Sequence, residues 1–174
     1  MYKILDVDYD RECLLEIFYK SKKNLNGIMY EVIDHIDTEF SVVKLFEEFN
    51  FIKFTQKNLF LGEIIKESPP YINPGNNGQI MFPLLGELEV TFYSYPGEMV
   101  EGRPVLLPNR KNQELTNKIL STKTETILVN KPTVINGLVT HSYKPSSNRA
   151  VIAALKLPLD YSWNEIIEFI EDKK

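Results

Sequence analysis

Hydrophobic positions along the chain follow two different periods, and the change falls near residue 50. Residues 2–7 alternate loosely, as a short strand does. Asp8 or Asp10 then caps a helix predicted over about 10–23, because Cys13, Leu14, Ile17 and Phe18 recur at helical spacing. Asn24, Leu25, Asn26 and Gly27 end it. Residues 28–34 are largely apolar and fit either period. Thr38 or Ser41 caps a second predicted helix, whose apolar side holds Val42, Val43, Leu45, Phe46 and Phe49 and which closes at Asn50.

From residue 51 the pattern becomes period two or short apolar runs, which predicts strands. The segments 51–55, 58–62 and 80–85 are such runs. Residues 87–95 alternate cleanly, with Leu88, Val90 and Phe92 on one side. Between them, Ser68 to Gly78 is dense in turn residues and reads as a break. Residues 96–125 read as loop, with one helical turn within 109–118. Strands resume at 125–129, 133–135, 138–143 and 149–157. Trp163, Ile166, Ile167 and Ile170 then recur at helical spacing and predict a closing amphipathic helix. Eight or nine short strands with turns between them favour a jelly roll or barrel. The expectation is one domain over 1–174: a helical flank (1–50), a β core (51–157) and a C-terminal helix (158–174). The class is α+β, mainly β.

Composition supports a globular chain: 174 residues, 43% hydrophobic and 25% charged. A net charge of -4 argues against a nucleic-acid partner, since phosphate binding needs a basic face. Lys20, Lys22 and Lys23 close the first helix, where its dipole favours cations. Arg110 and Lys111 lie among polar residues and read as solvated surface. Cys13 is the only cysteine, so the chain can form no internal disulfide and no cysteine-based zinc site. The start turns acidic at once and has neither the basic opening nor the apolar run of a signal peptide. No apolar stretch is long enough to span a bilayer. A cytoplasmic location, with no membrane partner, is the expectation.

The most informative stretch for chemistry is 126–157. A strand carries His141, Pro145 to Asn148 supply a turn, and Arg149 begins the next strand. A hairpin centred on residue 145 sets His141 and Arg149 roughly opposite each other. An imidazole beside a guanidinium makes a pocket for a carboxylate. Arg binds the anion with two parallel hydrogen bonds, while His ligates a metal or donates a proton. The aromatic residues Phe92, Tyr93, Tyr95 and Tyr143 are candidates to stack on a ligand, or simply to pack. Glu87 and Glu89 share a strand face, which alternation makes the solvent side. Ser142, Ser146 and Ser147 accompany His141 without the ordered acid that a hydrolase needs.

These residues resemble the distal part of the Fe(II)/2-oxoglutarate-dependent oxygenase family, over about residues 43–170. The resemblance implies a double-stranded β-helix, a jelly roll of cupin-like type, with N-terminal helices and a C-terminal helix. It implies His141 as the last iron ligand and Arg149 as the clamp on 2-oxoglutarate. The segment from Pro69 to Leu84 resembles the family's metal loop and following strand. There the family carries His-x-Asp or His-x-Glu, because iron(II) with open positions is held by two His and one carboxylate. This chain has Tyr71, Asn73, Asn76 and Asn77 instead. Asn73 and Asn77 are kept as ligand-binding candidates, with His141, Arg149 and Tyr93. The tripeptide His35-Ile36-Asp37 spells the missing motif, so a triad of His35, Asp37 and His141 is the metal alternative. It lies before the second helix, where Asp37 also suits a helix start.

Three readings follow. The first is a binding module or inactive relative that holds a small anionic molecule and needs no cofactor. The second is an active dioxygenase using Fe(II) and 2-oxoglutarate. The third is a structural or assembly protein, with a homo-oligomer formed through a sheet edge.

Overall fold

Ten strands and three helices are resolved in a computed structural model that describes residues 1–6, 8–21, 59–68, 70, 72, 78–95, 99–100, 103–104, 113–157 and 162–171. The strands are β1 (Tyr2–Ile4), β2 (Leu59–Ile64), β3 (Gly78–Leu85), β4 (Leu88–Tyr93), β5 (Met99–Val100), β6 (Arg103–Pro104), β7 (Lys123–Val129), β8 (Thr133–Asn136), β9 (Thr140–Pro145) and β10 (Ala150–Lys156). The helices are α1 (Arg11–Ser21), α2 (Gln113–Leu120) and α3 (Trp163–Glu171). The predicted second helix, the strand at 51–55 and the Lys22–Lys23 and Arg110–Lys111 clusters lie outside the described residues.

Two antiparallel sheets form the body. The larger runs β1-β8-β3-β10-β2 and the smaller β7-β4-β9; β5 and β6 make a separate short ribbon. The order follows from one folded ribbon. In the large sheet β3 is flanked by β8 and β10; in the small sheet β4 is flanked by β7 and β9. The chain therefore turns from one sheet to the other three times side by side, at 86–87, 130–132 and 146–149. This nesting is that of a jelly roll, and the fold is a mainly-β α+β double-stranded β-helix with helical flanks.

The corner depends on Gly86. Its φ is +67°, and a Cβ there would lie 2.4 Å from the carbonyl oxygen of Arg149. Only glycine takes this backbone without strain and lets the neighbouring turn approach so closely. Ser146 N donates to Glu87 O at 3.0 Å and locks the two turns together.

Strand alternation divides the core into two layers. Ile80, Phe82 and Leu84 of β3, with Val151, Ala153 and Leu155 of β10, face Leu14 and Phe18 of α1 and Ile166 of α3. Met81, Ile135, Ile152 and Ala154 face the other way, toward Leu88, Val90, Phe92, Val129 and Tyr143 of the small sheet. The outer face of the small sheet is covered in part by α2, through Ile119 against Tyr93 and Tyr95.

The helices are capped as their sequences direct. Asp10 Oδ1 accepts from Cys13 N at 2.9 Å. Ser162 and Glu165 form a reciprocal capping box, with Ser162 N donating to Glu165 Oε2 at 2.7 Å and Glu165 N to Ser162 Oγ at 3.3 Å. These bonds, the Ser162 hydroxyl first, hold the Glu165 carboxyl below its usual range. The stretch 96–125, read as loop, contains all of α2 and the first residues of β7. A two-turn helix with mixed polarity leaves little periodic signal. Among the described residues no helix is long and apolar enough to cross a membrane.

Candidate functional site

β9 builds the centre of the site. It pairs with β4 so that Phe92 faces His141, Val90 faces Tyr143 and Leu88 faces Pro145. Since Val90 and Phe92 belong to the layer between the sheets, His141 and Tyr143 point there too. His141 is fully buried. Its ring lies 5.1 Å from that of Tyr143, edge to face, and 6.4 Å from that of Phe92.

Its protonation follows from two observations. Nδ1 lies 2.6 Å from the carbonyl oxygen of Val139. A carbonyl only accepts, so Nδ1 carries the hydrogen. Burial, the larger cause, pushes the imidazole pKa down to about 4, against an upward pull from the Val139 carbonyl. At neutral pH the ring is therefore uncharged, and its buried Nε2 presents a lone pair.

Other polar side chains gather at the same end of the interior. The Gln79 amide donates to the Tyr143 hydroxyl. Lys156, the last residue of β10, is directly opposite Gln79 and shares its face. Across the small sheet, Glu125 of β7 is opposite Phe92, so Glu125, Phe92 and His141 form one row. Tyr2 of β1 stacks on Phe92, with ring centroids 5.7 Å apart and planes 11° apart, and its hydroxyl donates to Glu125 Oε1 at 3.0 Å. That bond, above all, raises the tyrosine pKa. The opposite end of the interior is lined by Leu88, Val129, Ala150 and Ile64 and is apolar.

The structure separates several residues that the sequence brings together. The predicted hairpin is replaced by a corner: β9 belongs to the small sheet and β10 to the large one, so His141 and Arg149 do not face each other. The Pro-Ser-Ser-Asn turn crosses between sheets. Arg149 is exposed, and its Nη1 bonds Glu63 Oε1 at 3.1 Å. Glu63 alternates with the interior residue Ile64, so this ion pair lies outside the sandwich. Tyr93 likewise faces away from His141. It is buried on the outer side of the small sheet, where its hydroxyl bonds Ser142 Oγ at 3.0 Å beside Ile119. Burial is the main cause of its raised pKa. Asn73, Asn77, His35 and Asp37 lie outside the described residues. Sequence reasoning misses Tyr2, Gln79, Glu125 and Lys156. Their signal is present but faint: each falls at or near a strand end, in register with interior positions of the neighbouring strand.

The residues described do not supply the iron site that the resemblance implies. Among them no group of three His, Cys, Asp or Glu side chains is placed to hold a metal. His141 stands as a single possible ligand.

No protein-family model matches the chain, and no curated protein matches it. Among solved structures it is similar to the L-ribose isomerase of Acinetobacter sp. DL28 in complex with L-ribose, at 16% identity and TM-score 0.39, over 57% of this chain and 48% of that one. It is similar to hydroxypropylphosphonic acid epoxidase from S. wedmorenis, at 13% identity and TM-score 0.33, over 58% and 44%. It is also similar to hydroquinone 1,2-dioxygenase PnpCD in complex with Cd2+ and 4-hydroxybenzonitrile, at 13% identity and TM-score 0.42, over 89% and 80%. The chain thus spans about half the length of the first two. The jelly-roll assignment rests on the strand order and not on these likenesses.

Proposed function

We propose that the chain binds a small organic acid between its two sheets, at the polar end of the interior. The observation that supports this reading is His141. A wholly buried imidazole, fixed as the neutral Nδ1–H tautomer, is an expensive feature in an apolar layer. It is accompanied at that end by Gln79 and Lys156, while the other end is filled with aliphatic side chains. Lys156, and not Arg149, is the cation that shares a sheet face with Gln79 at that end. His141 Nε2 accepts from a hydroxyl, an amine or a protonated oxygen of the ligand.

Thermal shift against a panel of mono- and dicarboxylates, 2-oxoglutarate included, tests the reading. At least one acid is expected to raise Tm by several degrees at millimolar concentration, and both His141→Leu and Lys156→Met to remove that rise. A panel in which no acid stabilises the protein would overturn it.

A dioxygenase is the second reading, and one detail favours it. A metal-binding His commonly donates its other ring N–H to a carbonyl, as His141 does to Val139. The described residues give it no further ligands, so no step through iron follows from them. Iron(II) titration of chelator-stripped protein checks this reading; stoichiometric binding lost in both His141→Ala and His35→Ala would support a triad.

A further inference from the structure

We propose that Asn136 is a self-modifying site: the Gly137 amide attacks its side chain, releases ammonia and turns the residue into isoaspartate or aspartate. This stands apart from the interior ligand and does not depend on it. The starting point is the pair Asn136-Gly137, in which the nitrogen after the asparagine has no neighbouring side chain to shield it. What carries the proposal is the turn in which that pair stands.

β8 ends at Asn136, and residues 137–139 lead into β9. The Leu138 amide donates to Asn136 Oδ1 at 3.0 Å. A backbone N–H only donates, so the side-chain oxygen faces it and the NH2 group lies on the other side. This bond draws the Asn136 carboxamide toward the backbone that follows it. The carbon under attack, Cγ, and the Gly137 nitrogen are thus members of one hydrogen-bonded ring, and their meeting is not left to chance. The same bond activates the carbon. As nitrogen adds to Cγ, negative charge develops on Oδ1, and the Leu138 N–H is already aimed at it, as donors are in an oxyanion hole. The main chain of Asn136 is held as well: its N–H donates to Met1 O at 2.9 Å, and its carbonyl accepts from Val139 N at 3.3 Å. Leu138 is 54% exposed, so water and hydroxide reach the turn.

The chemistry needs only base and water. Base removes the Gly137 amide proton, and the electron pair of the nitrogen forms a bond to Cγ. The Cγ–Nδ2 bond then breaks, and ammonia leaves with a proton taken from water. Water opens the resulting five-membered imide at either carbonyl; nothing is oxidised or reduced. Opening at Cγ gives aspartate and restores the main chain. Opening at the α-carbonyl gives isoaspartate, whose main chain runs through Cγ and is one methylene longer. In that product Val139 N–H loses its main-chain acceptor, so the turn between β8 and β9 loses a closing bond. The loosened turn leads directly into the strand that carries His141.

Ageing the protein at pH 8 and 37 °C, followed by peptide mapping with mass spectrometry, tests the site. The peptide holding Asn136 is expected to gain one mass unit and to separate into two products, with isoaspartate in excess. The deciding comparison is the same chain unfolded in guanidinium chloride. Folded protein is expected to react at Asn136 at least as fast, because the turn arranges the attack. A slower reaction in the folded protein would overturn the proposal, since the turn would then be protecting the residue. Leu138→Pro removes the activating N–H and is expected to slow the folded rate several-fold while leaving the unfolded rate unchanged. An unchanged folded rate in that variant would also overturn it. If Leu138→Pro fails to fold, the comparison of folded and unfolded wild-type chain decides alone.

Discussion

The two faces of the five-stranded sheet are made from the same strands and carry different burdens. On the face toward the helices, β3 offers Ile80, Phe82 and Leu84, and β10 offers Val151, Ala153 and Leu155, all buried and apolar. On the face toward the small sheet, the residues between them are Gln79 and Met81 on β3, and Ala150, Ile152, Ala154 and Lys156 on β10. The first face is a wall that holds helices. The second changes from aliphatic to polar along its length and ends beside an uncharged, buried His141. One sheet thus separates a layer concerned with stability from a layer able to hold a ligand. Changes on the helix side should alter stability and leave binding alone.

Phe82→Ala should have the largest effect. Phe82 is fully buried, and Tyr9 packs against its ring at 5.3 Å. Loss of a buried phenyl group generally costs about 3–5 kcal/mol, through lost transfer energy and the cavity left behind. Urea unfolding should show an unfolding free energy reduced by that amount, with the midpoint falling in proportion. Any ligand that binds the folded variant should retain its wild-type affinity. A large loss of affinity at full folding would mean that the two faces are not independent.

Next in size is the pH dependence set by the interior face. His141 has a folded pKa of about 4 and an unfolded one near 6.5. Between those values the unfolded chain binds a proton that the folded chain refuses. Stability therefore falls as pH drops from about 6.5 to 4, and this single group accounts for about 3 kcal/mol of the loss. Carboxylates contribute to the same profile, so the comparison is with His141→Gln, which cannot titrate. Chemical unfolding from pH 7 to 4.5 should give a shallower slope for the variant. Equal slopes would mean that the imidazole is not held neutral inside the sandwich.

The contrast between the faces is partly legible in the sequence. The alternation of Leu88, Val90 and Phe92 marks one side of β4 correctly, and the spacing of Cys13, Leu14 and Phe18 marks α1. The jelly roll follows from the number of short strands. Sheet membership does not follow. A Pro-Ser-Ser-Asn turn serves a hairpin and a sheet-to-sheet corner equally well, because both need a tight polar reversal. The difference lies in where β10 finds partners, namely β2 and β3, far away in sequence. That error places Arg149 beside His141. The polar end of the interior is missed for a related reason. Lys156 stands at a strand end and Glu125 in the polar first half of β7, where charge ordinarily means solvent; only the register with Gln79 and Phe92 puts them on the inward face.

The corner that joins the two sheets supplies a third test. Gly86→Ala puts a methyl group 2.4 Å from a backbone oxygen that cannot step aside without moving the 146–149 turn. The left-handed backbone adds its own penalty for any side chain. A loss of roughly 1–3 kcal/mol is expected for a residue forced into such a position. Because the disturbed turn leads from His141 into β10, binding should weaken along with stability. This separates the corner from Phe82, where stability alone should change.

The smallest effect is expected at the residue that the sequence makes most prominent. Arg149→Ala removes an ion pair with Glu63 that lies outside the sandwich, with the arginine side chain 44% exposed. Exposed pairs are screened by water and are generally worth between 0 and 1 kcal/mol. Glu63 is much less exposed, at 12%, so removing this one partner leaves its carboxylate less well compensated for its burial. A double-mutant cycle with Glu63→Gln separates the pair from that desolvation, since the second substitution removes the charge that needs a partner. The coupling should not exceed about 1 kcal/mol. Affinity for any carboxylate should be the same in Arg149→Ala as in the unaltered protein. Loss of binding there, with Lys156→Met silent, would move the anion site from the polar end of the interior to the outer edge of β2 and β10.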